Sequence, residues 1–261
     1  GMGGYDCEAN DLTVILSSEC NVKFETNGAS KIDSIKVTKG DVISAPATPV
    51  KEGYTFLGWT VEGAAEYDAA TGAVTIGTEK ITVTGAWAIN KHDVIYMVDG
   101  VEYTRVKDVA YGTPVTVIAP LTQEGYTFSG WDKTGTFDMP AKTVTISGTF
   151  AINSYKVIYM VDDVVVREAT AEFNSKVDLY DYTPAEGYNF SGWDKEDGFT
   201  MPAYDVTVNG TTSKITVTVT YEFRGDVPAG YPVPAPVLAT YGESIKKYAI
   251  YDGNDLVTGY V

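Results

Sequence analysis

Apolar and polar side chains alternate at a spacing of two through most of this chain, and that period predicts strands. In residues 143–150, Val144, Ile146, Gly148 and Phe150 share one face, while Thr143, Thr145, Ser147 and Thr149 share the other. This is the pattern of a sheet with one wet face. A second kind of strand recurs upstream of it. Val22 with Phe24, then Val94 with Tyr96 and Val98, then Val157 with Tyr159 and Val161, each form an apolar face. The opposite face is Lys23 and Glu25 in the first case, but Ile95 and Met97, and Ile158 and Met160, in the later two. Asn27-Gly28 and Asp99-Gly100 follow two of these strands and predict two-residue hairpins. Asp162-Asp163 stands at the third such place, where a different turn is expected.

A nine-residue phrase punctuates the pattern. Glu-Gly-Tyr-Thr-Phe-Ser-Gly-Trp-Asp at 124–132 returns at 186–194 with Asn189 for Thr, and at 52–60 with Leu57 for Ser. Such recurrence marks a repeat architecture. The predicted divisions are an N-terminal strand or cap at 1–19, left from a preceding unit, then units at 20–90, 91–153 and 154–214, and a partial fourth unit at 215–261. The first unit carries an insert at 62–78, whose Ala-Ala-Glu-Tyr-Asp-Ala-Ala run suggests one helical turn. Ala88-Ile89-Asn90 and Ala151-Ile152-Asn153 are too short to be floppy tethers. The expected fold is therefore mainly β, α+β at most, with small units in tandem. Four compact bodies of ~27 Å in line would make an elongated rod of roughly 100 Å. The fourth unit stops before any Gly-Trp step, so either the natural chain is expected to continue or this last piece is completed in some unusual way.

Strict alternation within the phrase puts Tyr126, Phe128 and Gly130 on one side, and Thr127, Ser129 and Trp131 on the other. Tyr126 and Phe128 are expected to build the core, as are Tyr54, Phe56, Tyr188 and Phe190. The tryptophan then lies on the wet side, unless a bulge at Gly130 turns it inward. Trp59, Trp131 and Trp193 accordingly carry three readings: cover for the core of their own unit, contact with a neighbouring unit, or an exposed platform for a sugar or protein partner.

Charge narrows the partners. The 261 residues hold 19 Lys and Arg against 35 Asp and Glu, a formal net of -16. With no basic patch to follow a phosphate backbone, nucleic acid is a poor partner, and an anionic membrane surface equally so. No run of eighteen apolar residues is present to span a membrane. Neither a secretory signal nor an anchor is visible, and Gly1 ahead of Met2 reads as an expression remnant. Cys7 and Cys20 are the two cysteines; a disulfide between them would pin the N-terminal strand, and the spacing leaves its formation open.

Little chemistry is on offer. The single histidine, His92, sits at a unit boundary, a poor place for a Ser-His-Asp site. One His and two Cys cannot supply a four-ligand zinc site, so no metal or other cofactor is expected. Asp252-Gly253-Asn254-Asp255 lacks the third spaced oxygen and terminal Glu of a calcium loop and reads as a hairpin turn. Asp162-Asp163 and Glu196-Asp197 are adjacent pairs whose side chains diverge on a strand. An isopeptide bond from Lys156 to an Asn of the closing strand is not general, because Ile95 stands at the matching place.

The opening Val-x-Phe/Tyr strand, the Tyr-Gly turn at 111–112 and the Gly-Tyr-x-Phe-x-Gly-Trp phrase resemble the Listeria–Bacteroides repeat, related to the internalin B-repeat. The resemblance implies a β-grasp-like unit, an extracellular setting on the bacterial cell surface, and a non-enzymatic spacer or adhesion role. It brings no catalytic residues. Partners implied are a host or cell-wall glycan or protein, and a monomer is expected. The runner-up is a carbohydrate-binding module using the three repeat tryptophans.

Overall fold

The computed structural model describes residues 19–63, 66–77, 80–223, 226, 229–245, 250–252 and 255–257. Every regular element among them is a strand. They fall into two compact units. One takes residues up to Pro120 together with Gly130–Thr149, and the other takes Leu121–Ser129 with residues from Phe150 onward.

One plan recurs. An opening strand (Glu19–Glu25, Lys91–Val98 or Ser154–Val161) pairs antiparallel with a second strand (Ile35–Thr38, Val101–Ala110 or Val164–Glu172). On its other side it pairs parallel with a closing strand, placing Val22 opposite Ile81, Val94 opposite Val144, and Val157 opposite Val206. This parallel first-and-last pairing inside a mixed sheet is the β-grasp-like arrangement. In the first and third repeats the phrase strand (Tyr54–Glu62, Tyr188–Trp193) adds antiparallel to the closing strand, giving four-stranded sheets. In the second, the phrase strand Tyr126–Phe128 pairs with Phe150–Ile152 as a two-stranded ribbon.

The alternation places the core. Val22, Val83, Val94, Tyr96, Ile146, Val157, Tyr159 and Val208 are all buried. Burial of a Val- or Ile-sized side chain contributes about 1.5–3 kcal/mol, so each repeat draws its stability from a few such residues.

The turns after the opening strands share one geometry, although only the second and third close two-residue hairpins, Val98 opposite Val101 and Val161 opposite Val164. The first ladder stops at Val22 opposite Ile35, so the two-residue hairpin expected at Asn27-Gly28 is corrected to a turn within a longer connection. Asn27 and Gly28, Asp99 and Gly100, and Asp162 and Asp163 all have positive φ, +49° to +50° at the first residue and +65° to +96° at the second. The expectation of a different turn at Asp162-Asp163 is therefore corrected. The right-handed twist of the flanking strands demands a turn with two left-handed residues, whatever the side chain.

The insert also departs from expectation. Its segment Glu66–Asp68 is a strand paired with Ala73–Thr75, which pairs in turn with Val42–Ser44. A lone helical turn closes one hydrogen bond for several fixed dihedrals, whereas the strand finds a ready partner edge. Val74 and Ile76 at the end of this insert are buried. Ile76 does what Met139 and Met201 do in the later repeats. The carbonyls of these three accept from the Gly40, Gly112 and Asn174 amides, and all three side chains are at most 1% exposed.

In the fourth repeat Thr216–Val219 pairs with Val237–Thr240, and Ile250–Asp252 pairs with Asp255–Val257, setting Asp252 opposite Asp255 as a hairpin. The N-terminal cap and Cys7 lie outside the described residues, while Cys20 lies on the first opening strand.

Candidate functional site

The tryptophans come first, because the phrase displays them. The first phrase strand shifts register between Phe56 and Gly58, and the third between Phe190 and Trp193. Gly58, Gly130 and Gly192 have φ of +123°, +85° and +88°, which only glycine adopts freely. The bulge cancels strict alternation. Phe56 and Trp59 become edge-to-face neighbours at 5.1 Å, and Phe190 and Trp193 at 4.8 Å. Each indole Nε1 donates to a main-chain oxygen thirteen or twelve residues upstream: Trp59 to Pro46, Trp131 to Ala119, Trp193 to Tyr180. Trp59 and Trp131 are each 7% exposed and Trp193 is half-buried. The exposed-platform expectation fails for Trp59 and Trp131, since a sugar needs an open ring face. Trp193 packs against Tyr159, Tyr182 and Phe190.

The phrase tyrosines do not join the core as expected. Tyr54, Tyr126 and Tyr188 are half-buried, and they mark the connections between repeats. The last strand of each repeat ends at Ile89, at Ile152 of the Phe150–Ile152 strand, or at Lys214, and one residue alone separates it from the first strand of the next: Asn90, Asn153 and Ile215. The amides of these three donate to the Gly53, Gly125 and Gly187 carbonyls at 2.8 to 2.9 Å. Their own carbonyls accept from the Tyr111, Phe173 and Tyr241 amides at 2.8 to 2.9 Å. The ring of each of these aromatics then covers the matching glycine. A Cβ built on Gly53, Gly125 or Gly187 would stand 2.1 to 2.2 Å from an atom of Tyr111, Phe173 or Tyr241. Glycine is required there twice over, by this close approach and by a φ of +76° to +83°.

Side chains add to the first two connections. Tyr54 meets Tyr111 edge-on at 6.0 Å, and Tyr126 meets Phe173 in the same way at 6.0 Å. Thr55 donates to the Asn90 Oδ1, and Thr127 to the Asn153 Oδ1, both at 2.6 Å. These clamps were missed by sequence reasoning. The signal was available as Tyr111-Gly112, Phe173-Asn174 and Tyr241-Gly242 at one fixed place in each repeat, where the first repeat has Lys39-Gly40.

Other candidates are local devices. His92 lies on the opening strand opposite Val109. Beside it, Arg105 donates to Asp93 at 2.7 Å and pairs with Glu102 at 2.8 Å. The Arg105 hydrogen bond, with the Asp108 amide, holds the Asp93 carboxyl below its ordinary range. The Asp162 carboxylate accepts from both the hydroxyl and the amide of Thr212, which likewise lowers its pKa. Burial raises the Tyr159 phenol. Lys156 forms an ion pair with Glu168 at 3.6 Å across the hairpin. Among the described residues no three His, Cys, Asp or Glu side chains converge as a metal site, and no helix is long and apolar enough to cross a membrane. An open groove of about 490 Å³ in the third repeat is bordered by Arg167, Lys176, Asp178 and Asp181 over a floor that includes Val157 and Tyr159.

Comparison with known proteins identifies the repeats. The family described as Listeria-Bacteroides repeat domain matches residues 21–84 and 92–150, and the divergent InlB B-repeat domain matches 164–225. Internalin H of Listeria monocytogenes is 32% identical over 153 residues, covering 54% of this chain and 27% of its own length. A protein of Evansella cellulosilytica named as a membrane protein is 29% identical over 205 residues, covering 71% of this chain and 30% of its own length. A second from that organism, named as a Gly-rich membrane protein, is 30% identical over 184 residues, covering 66% of this chain and 21% of itself. The chain thus spans less than a third of these relatives. Among solved structures, SHIRT domains 3-4 of a streptococcal cell surface protein match 51% of this chain and 98% of their own, at 15% identity and a TM-score of 0.21.

Proposed function

Because this chain belongs to the Listeria–Bacteroides repeat type, we propose that it is a non-enzymatic spacer segment of a bacterial cell-surface protein, one that holds successive repeats in set orientations. The observation that carries this reading is the recurrent connection. A single linking residue is bonded on both sides, and an aromatic ring of one repeat lies on a glycine of the one before. Fixing backbone at such a point costs about 1–2 kcal/mol per residue in entropy. Spending stability three times on the same joint is what a spacer needs and what a lone binding module does not.

Adhesion is the finer element of the proposal. Direct contact with a host or cell-wall component would run through exposed strand edges, such as Val101–Ala110 and Val164–Glu172, and not through Trp59 or Trp131. Acrylamide quenching of the full chain, alongside glycan arrays, tests this. The expected result is a blue-shifted emission, quenching confined to the half-buried Trp87 and Trp193, and silent arrays. Strong quenching of all four indoles, relieved by a sugar, overturns the reading in favour of a carbohydrate-binding module.

A further inference from the structure

The three connections share a backbone but not their side chains. At the first, Thr55 bonds Asn90, and at the second, Thr127 bonds Asn153. The same register continues in the third repeat. Thr55 is opposite Ala88, Thr127 opposite Ala151, and Asn189 opposite Ser213, so Asn189 and Ile215 occupy the places of the Thr and the Asn. Ile215 has no side-chain acceptor, and Asn189 carries no side-chain hydrogen bond among the described residues. The ring pairing also lapses. Tyr54 with Tyr111 and Tyr126 with Phe173 are in edge contact, whereas no ring contact links Tyr188 to Tyr241 among the described residues. Tyr241 is 46% exposed, while Tyr111 and Phe173 are half-buried.

We infer that the connection at Ile215 opens more readily than those at Asn90 and Asn153, making it a built-in hinge after the third repeat. What remains there is the pair of backbone bonds, Ile215 to Gly187 and Tyr241 to Ile215, with the ring of Tyr241 over Gly187. That geometry returns the chain to the clamped state after opening. The absent hydroxyl–amide bond and edge contact lower the barrier to leaving it. Under lateral load a spacer with one such joint bends there first, and its third repeat stays folded because the lost contacts lie outside that repeat's core of Val157, Tyr159, Met201 and Val208.

Amide hydrogen exchange on the full chain tests the inference. The Ile215 and Tyr241 amides should exchange faster than Asn90 and Tyr111, and faster than Asn153 and Phe173, by roughly three- to fivefold, the range of one modest hydrogen bond. The double variant Asn189→Thr, Ile215→Asn should slow Ile215 and Tyr241 by about the same factor and leave Asn153 and Phe173 unchanged. The converse pair, Thr127→Asn with Asn153→Ile, should speed exchange of the Phe173 amide. Equal protection at all three connections overturns the hinge. So does a double variant with unchanged exchange at Tyr241, since fraying of the Thr216–Val219 hairpin alone would then be the cause.

Discussion

The ring of Phe173 lies across the backbone of Gly125, so near that a Cβ built on the glycine would stand 2.2 Å from both Cγ and Cδ1 of the phenylalanine. Tyr111 stands in the same relation to Gly53, and Tyr241 to Gly187. A Gly-Tyr step that first reads as a repeat marker is thus half of a joint whose other half lies nearly fifty residues or more downstream.

Gly125→Ala tests that joint. The substitution forces an L residue to φ of +76° and drives the ring away. The backbone part alone costs about 1–2 kcal/mol. The whole effect, read from urea midpoints, should exceed this. In a Phe173→Ala background, the cost of Gly125→Ala should fall back toward the backbone part, because the overlap has gone.

The hairpin tip at Asp162-Asp163 predicts a gain. Asp163 has φ of +65° where the second repeat uses Gly100 at +78°. Asp163→Gly should therefore stabilise the chain by about 1 kcal/mol, and Gly100→Asp should destabilise it by a similar amount. Thermal unfolding of the two single variants checks both directions.

Met201 closes the core of the third repeat at 0% exposure, in the place that Ile76 takes in the first. Met201→Ile should cost less than about 1.5 kcal/mol, as a volume-conserving swap. Met201→Ala should cost about 2–5 kcal/mol by leaving a cavity. The contrast between the two, in chemical denaturation, is the readout.

The Asp162 carboxylate predicts an acid limb. Its hydrogen bonds with the Thr212 hydroxyl and amide lower the folded-state pKa. The contribution is therefore complete above the ordinary Asp value of about 3.9 and is lost as pH falls through the lower folded value. Urea midpoints should decline below about pH 4, and Asp162→Asn, which does not titrate, should flatten part of that decline. Asp93, held down by its hydrogen bond from Arg105, adds to the same limb.

Much of the fold is legible in the residues. The faces of the opening and closing strands, with Val94 and Tyr96 or Val144 and Ile146 inward, follow from the period alone. The two-residue hairpin at Asp99-Gly100 is equally local, whereas at Asn27-Gly28 only the turn itself is legible. An inward turn at Gly130, seen as its φ of +85° and the buried Trp131, could be named in advance as the alternative to an outward tryptophan, though not chosen. The insert could not be read, because Glu66–Asp68 becomes a strand only when Ala73–Thr75 lies beside it.

The sequence by itself determined the repeat, the strand plan and the inner face of each sheet, because these rest on period-two patterning and turn chemistry within a few residues. Tertiary structure decided where the phrase aromatics go. Phe56 and Trp59 share a face only because the chain bulges between them, and Tyr54 faces Tyr111 because a single residue, Asn90, brings the next repeat against it. Those placements depend on close approach between segments far apart in the chain. No local rule for strands or turns contains that distance.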